Sequence, residues 1–325
     1  MSTCNVLISS AGRRVSLLGS FRAALDALGV EGAVYASDLS PLTAAGHAAD
    51  QLFAAPPCRA PEFIPSMLEL CVDHEISLVV PTIDTELAAY AAHRDDFAAI
   101  GTTIAVSGPE TVAIAADKRR THRWLTENDL PTVDQAPLTE VLADPTRLDF
   151  PVIVKPVAGS ASAGVALINE PSELDTSGDV DDIIVQEVAP GVEHTVDAYV
   201  DRAGRVLTTV PRRRLEVRAG EVSKAITVVH DELQALVADI VTRLPATFGA
   251  LNVQVFVAED RLSVIEMNPR FGGGFPLSLE AGARMSEWLV AETIGREPEV
   301  GPWQPGVVML RYDDAVFTDA AAVGL

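Results

Sequence analysis

Short apolar runs alternate with segments of helical period along the first third of the chain. NVLIS (5–9), AVYAS (33–37) and ISLVVP (76–81) read as buried strands, and TTIAVSGP (102–109) closes the series. Between them, Leu17, Leu18, Phe21, Ala24, Leu25 and Leu28 recur at helical spacing, and Gly29 stands where that helix stops. Residues 61–74 and TELAAYAAH (85–93) carry further helices. Strands alternating with helices predict a parallel, doubly wound sheet over residues 1–110.

The rest of the chain reads differently. The pattern predicts a helix from Asp117 to Asn128, with Trp124 and Leu125 inward. Strands follow at PVIVKP (151–156), VALI (165–168), IIVQEV (183–188), HTVDAYV (194–200) and RVLTTVP (205–211). A helix is predicted over 231–244, a hairpin around Glu259-Asp260 from NVQVFVA (252–258) and RLSVIEMN (261–268), a helix over 278–294, and a late strand, GVVMLRY (306–312). This half is α+β, distinct from the first. LDTSGDVDD (174–182) reads as an exposed turn.

Composition narrows the function. At 325 residues and 48% hydrophobic, the chain can bury two or three domains, and no run reaches the ~18 apolar residues of a membrane helix. A formal net charge of −22 argues against nucleic acid and anionic membrane surfaces as partners. Cys4, Cys58 and Cys71 form no metal spacing. With no secretory signal at the N-terminus, they fit reduced thiols and a cytoplasmic location. Cys71 is expected in the core. Of 24 basic residues only Lys118, Lys155 and Lys224 are lysines. A flexible ammonium does a different job from a planar guanidinium, so these three are candidates for phosphate oxygens.

The densest stretch of candidate chemistry is VIEMNPRFGGGFPLS (264–278). In a strand, positions i and i+2 share a face about 6–7 Å apart, so Glu266 and Asn268 point the same way. Both offer oxygen to a hard cation such as Mg²⁺. Arg270 is a fork suited to phosphate or carboxylate, Pro269 ends the ladder, and Gly272–Gly274 admit close approach of a ligand. A solvated strand end before a turn would carry the same letters. Upstream, GSASAG (159–164) lies between a strand ending in Lys155 and another short strand, where backbone N–H groups can close over phosphates. It is not a Walker loop, and SAGRR (10–14) lacks the dinucleotide fingerprint.

The ordered series Asp117-Lys118, VKP with GSASAG, Gln186-Glu187 with Gly191 and Glu193, NVQVF and VIEMNPR resembles the ATP-grasp superfamily, and within it the branch like the carbamoyl-phosphate synthetase large subunit. The resemblance covers about residues 110–295. It implies a Rossmann-like pre-ATP-grasp domain (1–110), a small lobe or lid with the Gly-rich loop (111–185), and a large lobe with the metal site and C-terminal strand (186–325). The implied activity is ATP-dependent ligation: a carboxylate becomes an acyl phosphate and an amine attacks it, releasing ADP and phosphate. Lys118 and Lys155 would hold ATP phosphates, and Gly159, Ser160, Ser162 and Gly164 would form the loop over them. Gln186, Glu187 and Val188 would sit at the adenine and Glu193 at the ribose. Gln254, Glu266 and Asn268 would hold Mg²⁺, two ions or Mn²⁺ in its place, with Gln254 standing where other members carry Glu. Arg270, Lys224 and one arginine of the 212–214 run, taken as Arg213, would serve the transferred phosphoryl group and the acceptor.

Arg13, Asp84 and Glu86 fall at strand C-terminal ends, where open α/β sheets bind ligands. Asp84 serves equally as a helix start, and Glu86 reads as a residue of the first helical turn. Arg284, on the helix after the glycine loop, reads equally as facing the substrate or the solvent, and His194 as a satisfied strand residue. Two rival readings stand beside the ligase: one subunit of a carbamoyl-phosphate-type synthetase, and a nucleotide-binding regulator without turnover. The substrates, expected to be a small carboxylate and an amine such as an amino acid, are not legible, and a homodimer is left open.

Overall fold

The computed structural model describes residues 3–159, 164–175, 180–218 and 220–324. Among them, fifteen strands form three sheets. The first is parallel, with order β3-β2-β1-β4-β5: β1 (Asn5–Ser9), β2 (Val34–Asp38), β3 (Leu52–Ala54), β4 (Ile76–Pro81) and β5 (Thr103–Ile104). The doubly wound expectation holds, with β1 at its centre. The helix Val15–Leu28 buries Leu17, Leu18, Phe21, Ala24 and Leu25, the stripe its spacing predicts, and Gly29 ends it at φ +61°.

The second sheet, order β6-β9-β7-β8, is antiparallel: β6 (Gln135–Pro137), β7 (Val152–Pro156), β8 (Ala166–Ile168) and β9 (Ile183–Glu187). It has a small core of its own around Leu138, Val141, Val152 and Val185. The third, order β14-β13-β10-β11-β12-β15, comprises β10 (Val192–Val200), β11 (Val206–Arg218), β12 (Glu221–Thr227), β13 (Gly249–Val257), β14 (Leu262–Asn268) and β15 (Val308–Leu310). One face packs on the helix Asp231–Arg243 through Val196, Ala198, Val253, Val255, Leu233 and Val237.

The parallel sheet and the six-stranded one share a continuous core. Phe21 meets Phe271 edge-on at 5.8 Å, Phe271 meets Phe275 at 4.7 Å, and Trp288, Leu289 and Tyr199 join the same cluster. The four-stranded sheet is the separate unit.

Several elements differ from the sequence expectation, and β3, β12 and the helices Ala44–Ala48, Pro109–Ala116 and Leu138–Ala143 have no counterpart in it. The helix expected over 278–294 is two, Phe275–Glu280 and Met285–Thr293, broken where Gly282 takes φ +105°. The strand expected at 205–211 runs on to Arg218, because β12 and β10 supply ladder partners that its charged sequence does not advertise. The short strand β6 has too few residues to show a period.

Candidate active site

A cleft of about 290 Å³ opens between the four-stranded and six-stranded sheets. The antiparallel register builds its floor. Arg212, Thr195, Gln254 and Glu266 form one row across β11, β10, β13 and β14, and Asp197, Asn252 and Asn268 the next. Glu266 thus stands opposite Gln254, and Asn268 opposite Asn252. Between Gln254 and Val255 the register slips, so Ile265 is an extra residue in β14. Such a bulge re-aims side chains. Ile265 and Glu266 accordingly both line the cleft, with Phe256, Ile153 and Val188 completing an apolar slot.

The opposite wall carries the cations. Asp117 caps the helix Lys118–Glu127 by accepting from the backbone N–H groups of Arg119 and Arg120, which sets Lys118 at the first helical position. The Lys118 ammonium donates to the Gly159 carbonyl at 3.1 Å, at the start of the Gly-rich loop. Lys155, at the end of β7, is 5% exposed, and among the described residues no acceptor holds its ammonium. Burial, then the charge of Lys118, pulls its pKa down to about 8, with Glu266 acting the other way. The left-handed Gly159 (φ +117°) and Gly164 (φ +72°) flank the loop, while Ser160 and Ser162 lie outside the described residues.

At the other end of the cleft, Gln186 is buried and Val188 half-exposed. The Glu187 carboxylate turns away to Arg261 at 2.8 and 3.0 Å, which leaves its backbone toward the cleft wall. Glu193 lines the cleft beside Arg214, with which it forms a tight ion pair. The turn before it requires Gly191 (φ +95°): a Cβ there would lie 2.1 Å from the Val257 carbonyl oxygen. Asn268 donates to Asn252 at 3.3 Å and accepts from Arg270 at 3.4 Å. Among the described residues no group of three His, Cys, Asp or Glu side chains could hold a metal. The oxygens that the cleft offers a cation are those of Glu266 and of neighbouring amides such as Gln254.

Two expected residues stand elsewhere. Arg213 pairs with His194 on the opposite face of the sheet and is exposed. Its neighbour Arg214 is the one that reaches the cleft, since adjacent strand residues point oppositely. Lys224 does not line the cleft; it pairs with Glu216 at 2.7 Å and is 47% exposed. The glycine run also has a reason besides the one expected. A Cβ on Gly274 would lie 2.2 Å from Arg212 Nη1, and one on Gly272 would lie 3.1 Å from Asn252 Nδ2. The glycines let the loop lie on the protein's own buried floor, where Arg212 grips Asp197 at 2.7 and 2.8 Å and Ser278 donates to Asp197 at 2.5 Å.

Arg270 forms a two-pronged pair with Asp84 at 2.8 and 2.6 Å, joining β14 to the loop after β4. Glu86 is fully buried and accepts from Ser9, Ser10 and the backbone of Thr82 and Ile83; burial raises its pKa. Arg13 and Arg284 are exposed, paired with Glu221 and Glu287. His194 is buried, its ring on the Val192 carbonyl. Arg214, Ile265 and the Asp84 partnership are the features missed from sequence. A run of three arginines gave no parity, and a bulge leaves no mark in a pattern of Val, Ile and Met.

Comparison with known proteins agrees with this geometry. A family model described as ATP-grasp domain matches residues 115–274, and one described as PylC-like, N-terminal domain matches residues 6–105. The carbamoyl phosphate synthase large chain of Thermomicrobium roseum is 28% identical over 254 residues, covering 71% of this chain and 23% of its own length. That of Acidobacterium capsulatum is 26% identical over 235 residues, covering 62% and 21%. The chain thus spans less than a quarter of these relatives. Among solved structures, N5-carboxyaminoimidazole ribonucleotide synthetase from Thermus thermophilus superposes with TM-score 0.72 at 17% identity, covering 93% of this chain and 81% of that one. The biotin carboxylase domain of Hydrogenobacter thermophilus 2-oxoglutarate carboxylase, solved with MgADP, ADP and bicarbonate, gives 0.73 at 17%, covering 94% and 72%. At that identity the likeness is one of fold.

Proposed function

We propose that the chain is a ligase that uses ATP to activate a carboxylate as an acyl phosphate, which an amine then attacks; its matches to the family models described as ATP-grasp domain and PylC-like, N-terminal domain support this reading. The observation that carries this reading is the convergence of Lys118, Lys155, Gln254 and Glu266 on one cleft with an apolar slot at its far end. Two ammonium groups facing a carboxylate suit a metal-bound triphosphate, and Ile153, Val188, Phe256 and Ile265 suit a flat base. ATP with Mg²⁺ fits these residues: two ions or Mn²⁺ would change only how many oxygens Glu266, Gln254 and Asn268 contribute. When bound, the cation neutralises phosphate charge and aligns the transferred group.

The chain's own residues do the rest. Lys155, poised near pH 8 by burial, holds its proton once phosphate oxygens arrive. Lys118 ties the start of its helix to the Gly159 carbonyl, so its ammonium stands beside Lys155 in the cleft where phosphate oxygens would lie. A carboxylate oxygen of the acceptor attacks the γ-phosphorus as the bond to the ADP oxygen breaks. The amine nitrogen then adds to the acyl carbon. The C–O bond to phosphate breaks with its electron pair on the departing phosphate, and the amine's proton passes to that phosphate or to water. Arg270, its fork set by Asp84, is the residue we assign to the oxygens that gain charge. Glu193 would accept from the ribose, in exchange for part of its bond to Arg214. We further read the protein as cytoplasmic.

The test is phosphate release from ATP and Mg²⁺ across a matrix of carboxylates and amines, with Glu266→Ala beside it. Release that requires both partners and disappears in the variant establishes the ligase. Nucleotide binding without release on any pair favours the subunit or regulatory reading.

A further inference from the structure

A second charged region lies where the parallel sheet meets the six-stranded one. Arg13 and Arg14 come from the turn after β1, Arg270 from the end of β14, and Arg311 from the end of β15; Asp84 and Glu221 stand among them. Arg270 is committed to Asp84. Glu221 accepts from Arg13 at 3.2 Å and from Arg311 at 3.0 Å. Arg14 is left over. It is half-buried, and among the described residues its one hydrogen-bond acceptor is the Thr82 carbonyl, at 3.4 Å. The glycine run lies against it: a Cβ on Gly273 would stand 3.5 Å from Arg14 Nη1 and 3.7 Å from the Glu221 carboxylate.

Four guanidinium groups thus share two carboxylates, in a chain whose formal net charge is −22. Asp313, also within electrostatic reach of Arg13 and Arg311, is taken up by Arg218 at 2.6 and 2.7 Å. Burial, then the Arg270 charge, lowers the Arg14 pKa to about 10, against the pull of Glu221 and Asp84. A guanidinium offers five donors, and the half-buried Arg14 places only one of them on a protein acceptor among the described residues. The sequence is rich in Asp and Glu, yet none of those among the described residues accepts from Arg14.

Resting on the ligase reading, we infer that the acceptor acid carries a second anionic group, a carboxylate or a phosphate. Arg14 receives it, with Arg13 and Arg311 beside it, while the carboxylate to be activated stands toward Arg270. The fork geometry suits the planar or tetrahedral oxygens of either group.

The test measures phosphate release with MgATP and a mixture of amino acids and ammonium. The acids are acetate, butyrate, succinate, glutarate and 3-phosphoglycerate, and the same acids are titrated calorimetrically into the MgADP-loaded protein. The expected result is a KM for a dianionic acid at least about tenfold below that for a monoacid, the worth of one charge-assisted bond. Whether succinate and glutarate or 3-phosphoglycerate binds tighter identifies the second group. Arg14→Gln raises that KM about tenfold with kcat and the KM for ATP unchanged, and Arg14→Lys recovers part of the loss. Equal use of monoacids, or an Arg14→Gln effect shared by monoacids and dianions, overturns the inference and leaves the ligase reading standing. Dianion binding that Arg14→Gln removes, without turnover on any acid, supports the anion site and sinks the ligase reading. Neither turnover nor saturable dianion binding overturns both.

Discussion

Two regions of the protein gather basic side chains, and they are built from different cations. The cleft between the four-stranded and six-stranded sheets, proposed above to hold the nucleotide, has Lys118 and Lys155, two of the three lysines in the chain. The region at the junction of the two larger sheets uses arginine throughout: Arg13, Arg14, Arg270 and Arg311. A point charge on a flexible stem can follow phosphate oxygens that move during transfer. A fork fixes a planar group in one orientation. Their surroundings differ too. Lys155 lies on the four-stranded sheet, which has its own small core, and Lys118 opens a helix that packs through Leu125 on the six-stranded sheet. The arginines sit on elements tied into one large shared core, where Phe21, Phe271 and Phe275 join the two larger sheets.

The sharpest way to break this contrast is Lys155→Met. Turnover with ATP is expected to fall by about a hundredfold to a thousandfold, as for other preorganised charges that meet a transition state. The nucleotide-free protein, measured by denaturant unfolding at pH 7, is expected to become more stable. A lysine pKa pulled from 10.5 to about 8 costs on the order of 3 kcal/mol in the charged form. The sign follows from proton counting. Between pH 8 and 10.5 the folded wild type binds fewer protons than the unfolded chain, so its stability rises with pH across that window. The variant lacks this rise. Unchanged stability at pH 7 would mean that the ammonium is solvated and the contrast with the arginines is weaker than drawn.

Arg270→Lys tests the other side. It keeps the charge and loses the fork, leaving Asp84 with one contact in place of two. Phosphate release is expected to drop about ten- to hundredfold, with the KM for ATP held. Asp84→Asn should move the same readout in the same direction by less.

A finer test separates two adjacent arginines. Arg214→Gln is expected to raise the KM for ATP about tenfold by unseating Glu193. Arg213→Gln, on the opposite face, should leave it within about twofold. Equal effects would mean that the strand register is wrong. The smallest effect belongs to the third lysine. Lys224→Ala removes an exposed pair with Glu216 and is expected to change unfolding free energy by less than about 0.5 kcal/mol, with phosphate release within about twofold.

Much of the molecule was legible along the chain. Buried strands of four to six apolar residues gave the parallel sheet, because a strand covered on both faces leaves no polar positions. Lys118, Lys155, Gln186, Glu193, Gln254 and Glu266 were legible as one cleft because their motifs have fixed order and spacing. Arg213, Arg214 and Lys224 were not separable in the same way. In RRR each residue has the same chemistry, and a shift of one position moves a side chain to the other face. Only the pairing of β11 with β10 selects Arg214. Ile265 shows the same limit, since its place in the cleft depends on a slip of one residue against β13. The glycines after Arg270 read as ligand space, and the structure adds that Gly274 makes room for Arg212 and Gly272 for Asn252.

The sequence by itself determined which residue types the protein has to work with: a carboxylate two residues before an amide, two lysines among many arginines, and glycines at the turns. Those are local properties, carried by backbone preference and side-chain charge. The tertiary structure decided which of them meet. Asp84 and Arg270 are far apart in the chain and join by two hydrogen bonds, and Arg14 stands between Arg270, Glu221 and Arg311 with, among the described residues, no carboxylate hydrogen-bonded to it. Such contacts rest on sheet register and on the packing of one sheet against another. A difference of one residue in either, which composition and spacing do not encode, reverses the face on which a charge stands.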